Sequence, residues 1–172
     1  ESEIKSLLDN ERNETDIENK MIKDNLFNLS RDPNKVYMQP PTKDPVPYLN
    51  FSDLDNMLVK LKVTTEEFQK LINNPNKVNN GQLKQLNELL YKAEGKLIYL
   101  NGLPRRPWYK HEIYAPGLYT GYGVKTLPGI REAIEQRNWK EAQENILIVT
   151  NVLDSYNNQV KQAANLLNKA SF

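Results

Sequence analysis

Residues 139–167 read WKEAQENILIVTNVLDSYNNQVKQAANLL. Trp139, Ala142, Ile146, Val149, Leu153, Tyr156, Val160, Ala163 and Leu167 recur every three or four positions without a miss. That spacing puts side chains on one face of an α-helix. About 30 residues at a rise of 1.5 Å make a helix roughly 45 Å long. Ile148, Val152 and Leu166 add a second apolar strip beside the first. Two strips are more apolar face than one neighbour needs. Two readings are open: a central helix of its own bundle, or a helix whose Ile148, Val152 and Leu166 strip meets another subunit.

Toward the N-terminus the same period returns. Leu83, Leu86, Leu90, Ala93, Leu97 and Leu100 alternate by threes and fours behind an Asn79-Asn80-Gly81 turn. Ser52 is a good N-cap for a helix carrying Leu54, Leu58, Leu61, Phe68 and Leu71, with a restart expected at Thr64-Thr65 and Glu67. Asn73-Asn74-Pro75-Asn76 ends that helix. A first helix is expected to about Ser30, with Ile4, Leu7 and Leu8 at one end and Ile17, Met21, Ile22, Leu26 and Leu29 at the other. Its middle, Asp9 to Asp16, is all polar, as in a helix packed at both ends or leaning on an absent neighbour. Between the first two helices lies a Pro-rich connector with Pro33, Pro40, Pro41, Pro45 and Pro47, where Pro cannot donate the N–H that a helix needs. No strand pattern competes. The expectation is an all-α bundle of four to five helices, divided as helix 1–31, connector 32–50 and helical domain 51–172.

Composition narrows the function. The 172 residues carry 23 Lys+Arg against 22 Asp+Glu, one His and no Cys. Near-neutral charge argues against a dedicated nucleic-acid protein. No Cys and one His exclude a thiol nucleophile and leave little for a zinc site. A mean hydropathy of -0.72 and the absence of any long apolar run argue against a membrane span. Carboxylate pairs such as Glu66-Glu67 sit on polar helix faces without a His beside them and read as solvated. The chain opens at Glu1 without Met or signal peptide and already reads as helix interior, so it is expected to be cut from a longer protein.

Asn101 to Gly129 reads NGLPRRPWYKHEIYAPGLYTGYGVKTLPG and holds five of the seven Gly, four of the ten Pro, Trp108, four Tyr and the only His. A loop this long is usually functional or disordered, and its aromatic content argues for order. Arg105, Arg106, Lys110 and His111 with Trp108 and Tyr109 are candidates for a phosphate or carboxylate site. The bland reading is that Arg106 and His111 hydrogen-bond loop carbonyls and hold the loop. Leu127-Pro128-Gly129 starts a short helix, with Pro where its missing N–H costs nothing.

Gly102-Leu103-Pro104, Arg106-Pro107-Trp108-Tyr109-Lys110-His111, Ile113-Tyr114-Ala115-Pro116 and Pro128-Gly129-Ile130 together resemble the C-terminal domain of the glutamate carboxypeptidase and transferrin receptor family. Pro45-Val46-Pro47-Tyr48-Leu49-Asn50-Phe51 resembles the start of that domain, and the likeness runs from about Pro45 to Leu167. The resemblance implies a transferrin-receptor-like dimerisation domain that follows a di-zinc peptidase domain, forms the two-fold contact and covers one side of the cleft. Arg106, Trp108, His111, Tyr114 and Pro116 would hold the loop. In glutamate carboxypeptidases a Lys-Tyr pair grips the substrate's C-terminal residue. Tyr122 falls at the Tyr position and Gly121 at the Lys position, so the contact to the α-carboxylate is kept and the charge favouring glutamate is missing. This chain is then expected to hold no catalytic residue and no metal, zinc belonging to the absent domain. Its partners would be a second copy, the upstream peptidase domain and a peptide substrate, with no nucleic acid, outside the cytoplasm. Two rivals are a receptor-type module with an inactive peptidase domain, though no Arg-Gly-Asp occurs, and an unrelated helical adaptor.

Overall fold

The computed structural model describes residues 1–28, 34, 38–73 and 78–168. Its helices are α1 (Ser2–Lys23), α2 (Ser52–Asn73), α3 (Asn80–Tyr91), α4 (Pro128–Glu135) and α5 (Trp139–Asn168), with single 3₁₀ turns at Leu26–Asn28 and Glu94–Leu97. The helical bundle expected from the sequence is present, and α5 is its centre: α2, α3, α4 and the turn Glu94–Leu97 all pack on it. Ala142, Ile146, Val149 and Leu153 of α5 meet Ile130, Ala133 and Ile134 of α4, Leu54 and Met57 of α2, and Ile4 and Leu8 of α1 in one core. A smaller cluster joins Ala163 and Leu167 to Leu86 of α3, with Phe68, Leu71, Leu89 and Leu166 against it.

Several local expectations change. Thr64 and Thr65 do not restart α2; their hydroxyls donate back to the Lys60 and Leu61 carbonyls at 3.1 and 3.0 Å, and the helix runs on. Asn50, not Ser52, offers the side-chain oxygen at the start of α2, accepting the Ser52 N–H at 3.0 Å. Asn79 is a helix cap rather than a turn residue, sharing a reciprocal capping box with Gln82. The Leu period continues in sequence to Leu100, but α3 stops at Tyr91 and the chain tightens into Glu94–Leu97 around Gly95, leaving Leu100 exposed. The first helix, expected to about Ser30, ends at Lys23, where Asn25 turns left-handed at φ +54; the second ends at Asn73 as expected, and Ser30 and Asn74-Pro75-Asn76 lie outside the described residues. The long loop carries a small antiparallel ribbon, β1 (Tyr114–Pro116) and β2 (Val124–Thr126). Three residues per strand are too few to show a two-residue alternation in the sequence.

The polar middle of α1 has neighbours inside the chain. Arg137, at the corner between α4 and α5, donates to Glu11 at 3.3 Å, to the buried Thr15 hydroxyl at 2.9 Å and to the Asp44 carbonyl at 2.6 Å. Its guanidinium also lies over the Trp139 ring, 5.3 Å from the centroid. Asn19 exchanges two hydrogen bonds with the Lys43 backbone, and Arg12 reaches the Pro47 carbonyl. Ile17, read as apolar face, is 61% exposed.

Arg137 has φ +56, and α4 ends in a Schellman pattern, with Arg137 N–H on the Ile134 carbonyl and Asn138 N–H on Ala133. A left-handed non-glycine residue costs about 1 kcal/mol, which the side-chain contacts offset. Arg137→Ala should therefore cost about 1–2 kcal/mol and speed amide exchange in α1. Arg137→Gly should recover about 1 kcal/mol of that loss in urea titrations.

Candidate functional site: an anchored aromatic ribbon

The segment from Tyr99 to Glu112 doubles back on itself. Tyr99 N–H bonds the Lys110 carbonyl at 2.8 Å, Leu103 N–H bonds Tyr109 at 2.7 Å, and Glu112 N–H bonds Leu97 at 3.0 Å. Gly102 makes the reversal possible. It has φ +70, and a Cβ there would lie 2.2 Å from the Pro107 carbonyl oxygen.

Arg106 is the anchor. It is 3% exposed, and one terminal nitrogen, Nη2, donates to both carboxylate oxygens of Glu132 of α4 at 2.8 and 2.9 Å. Its other terminal nitrogen donates to the Pro116 carbonyl at the end of β1. Glu132 Oε1 also accepts the Leu118 N–H at 2.8 Å. One buried ion pair thus fixes both the loop and the start of the ribbon's turn. Lys125 of β2 pairs with Glu135, and Thr126 shares Glu3 of α1 with Arg131.

His111 Nδ1 accepts the Ile113 and Tyr114 N–H groups, both at 3.3 Å, which puts its proton on Nε2. Burial lowers the imidazole below its ordinary value, with Glu94 pulling the other way. The His111 and Tyr114 rings lie 4.1 Å apart, and the Tyr114 hydroxyl donates to Glu94 at 2.6 Å. That hydrogen bond, with the Glu94 charge, raises the Tyr114 phenol. Glu112 is 1% exposed, and neither of its carboxyl oxygens has a hydrogen-bond partner among the described residues. Burial pushes its carboxyl up to about 7.

The ribbon pairs Tyr114 with Thr126, Ala115 with Lys125 and Pro116 with Val124. Its turn closes by Gly117 N–H on Gly123 at 2.9 Å and Gly121 N–H on Gly117 at 3.1 Å. Tyr122 is fully exposed there and Tyr119 is 77% exposed. Gly121 has φ +63 with open space where a side chain would stand.

The residues singled out in the sequence divide accordingly. Arg106, His111, Tyr114 and Pro116 lie in the bonds that hold the loop, whereas Trp108 is 71% exposed. The Arg105 and Arg106 guanidiniums are both engaged inside the chain, Arg105 by two bonds to Glu141 of 3.0 and 2.9 Å. Tyr122 and Gly121 share the ribbon tip. On α5, Val152 is buried, Leu166 is half-buried against the second cluster, and Ile148 is half-buried along a groove with Ile98 and Leu100. Sequence reading missed Glu132 and Glu112. Glu132 stands in sequence between Arg131 and Glu135, which keep contact with solvent on α4, so nothing marked it as the buried carboxylate. Among the described residues no three His, Cys, Asp or Glu side chains group as a metal site, and no helix is long and apolar enough to cross a membrane.

Residues 49–170 match the family model for the transferrin receptor-like dimerisation domain, and the chain belongs to that family. It is 43% identical over 68 residues to a probable glutamate carboxypeptidase of Arabidopsis thaliana, covering 38% of this chain and 10% of that protein. It is 31% identical over 109 residues to a probable glutamate carboxypeptidase of Arthroderma benhamiae, covering 62% of this chain and 15% of the relative. An inactive zinc metalloprotease of Schizosaccharomyces pombe is 27% identical over 117 residues, or 66% of this chain and 15% of its own length. The chain thus spans a small part of the curated relatives it matches.

Proposed function

We propose that this chain is the non-catalytic part of a glutamate carboxypeptidase-like protein, that it brings two copies together, and that its ribbon completes the substrate pocket. The catalytic machinery and its zinc belong to a peptidase domain elsewhere in the protein, a reading supported by likeness to probable glutamate carboxypeptidases of which this chain covers only 10% and 15%. Peptide substrate, a second copy and that domain are the partners, in an extracytoplasmic setting. The observation that carries the pocket reading is Tyr122: a fully exposed phenol on a turn that the buried Arg106–Glu132 pair holds from behind. An exposed hydroxyl on a fixed frame is a ready donor to a carboxylate. Gly121 beside it offers no cation, so a preference for terminal glutamate is not built into this tip.

In the whole protein Tyr122→Phe should raise KM about tenfold with kcat nearly unchanged, the loss of one hydrogen bond to a bound carboxylate. An unchanged KM would contradict the pocket role. A receptor-like protein with an inactive peptidase domain is the second reading, favoured by the likeness to an inactive metalloprotease. Intact zinc ligands upstream would decide against it.

A further inference from the structure

The outer face of α3 points to a specific self-association surface, and this inference rests on the dimerisation reading above. Leu83, Leu90 and Tyr91 are 47%, 41% and 88% exposed on a helix of 12 residues. Leu83 and Tyr91 line one shallow groove with Asn80, Lys84, Asn87 and Glu88, and Leu90 lies beside it on the same helix. Among the described residues Lys84 and Glu88 have no ionic partner, and both are exposed.

The occupant is chosen by charge and symmetry. At about 100° per residue the face is centred on Asn87, with Leu83 and Leu90 on one flank and Lys84, Glu88 and Tyr91 on the other. A two-fold axis through Asn87 lays a second α3 antiparallel on the first and keeps each flank against its own copy. Leu83 then meets Leu90 of the other copy, twice. Lys84 meets Glu88 and the Tyr91 ring of the other copy, also twice. The two Asn87 amides face each other on the axis. A parallel two-fold arrangement would lay the Leu83 and Leu90 flank of each copy against Lys84, Glu88 and Tyr91 of the other. The face is therefore complementary to itself in one orientation, and we infer that α3 packs antiparallel on α3 of a second copy. A single pair of short helices buries less than the roughly 800 Å² per partner of a standard interface, so the contact is weak in this chain alone.

The chain has no Cys, so one introduced thiol reports on one contact. Asn87→Cys should give disulfide-linked dimers under mild oxidant at millimolar protein, while Lys140→Cys, on the exposed start of α5, should not. Sedimentation of the native chain over the same range should show a dimer that Tyr91→Glu weakens by about tenfold or more. Lys84→Glu or Glu88→Lys alone should weaken it, and the two together should restore it, a recovery that a folding defect would not give. A dimer indifferent to all of these, with no cross-link at 87 above the control, would overturn the α3 assignment and leave the dimerisation reading standing. A monomer at every concentration, with no cross-link, would overturn both for this chain.

Discussion

Glu132→Ala should cost about 3–5 kcal/mol, the largest loss from any single substitution considered. Arg106 and Glu132 are 3% and 2% exposed, and Nη2 of the guanidinium donates to both carboxylate oxygens. Removing it leaves a buried cation with no counter-ion and only the Pro116 carbonyl as an acceptor. It also frees the Leu118 N–H that Glu132 accepts. For a domain of this size the loss corresponds to a fall in melting temperature of about 10 °C or more. Replacing both partners by apolar groups of similar volume should cost far less, because no charge is then stranded. In the double variant the ribbon loses its tie, so amide exchange at 117–123 should rise even where the melting temperature recovers. Equal losses in the single and double variants would mean that the pair acts only as packing.

Glu112→Gln should stabilise the chain by about 2–3 kcal/mol at pH 8 and change little at pH 4, once solvent screening is allowed for. The carboxyl is buried without a partner, and burial pushes it up to about 7. The unfolded chain releases that proton near the ordinary value of 4.5, whereas the folded chain holds it to about 7. Within that window the folded state binds more protons, so the native chain loses stability as pH rises through it and the loss levels off above. The Gln variant has nothing to titrate there. Urea titrations at both pH values check this, and a stabilisation equal at pH 4 and pH 8 would show that the carboxyl is not the cause.

Periodicity made α5 legible to within a residue, because thirty residues carried one pattern and its face is buried apart from half-buried Trp139 and Tyr156. The β-ribbon was not legible, since a three-residue strand has no period to detect. The docking of α1 was legible at its apolar end, where Ile4 and Leu8 join the core, but not in its polar middle. The contacts there include those of Arg137, whose left-handed backbone and long reach leave no hydrophobic trace. At the candidate site, Arg106 was legible as a loop anchor, but its partner was not, because Glu132 reads in sequence like the solvent-facing Arg131 and Glu135 on the same short helix. Tyr122 and Gly121 came from likeness to a family rather than from pattern, and the structure adds what the sequence lacked, their common place on an exposed, fastened turn.

The most direct test of the central claim is light scattering on the purified chain across a wide concentration range. The account predicts a mass that rises from 20.0 kDa toward twice that value as concentration increases. A mass fixed at 20.0 kDa throughout would contradict it.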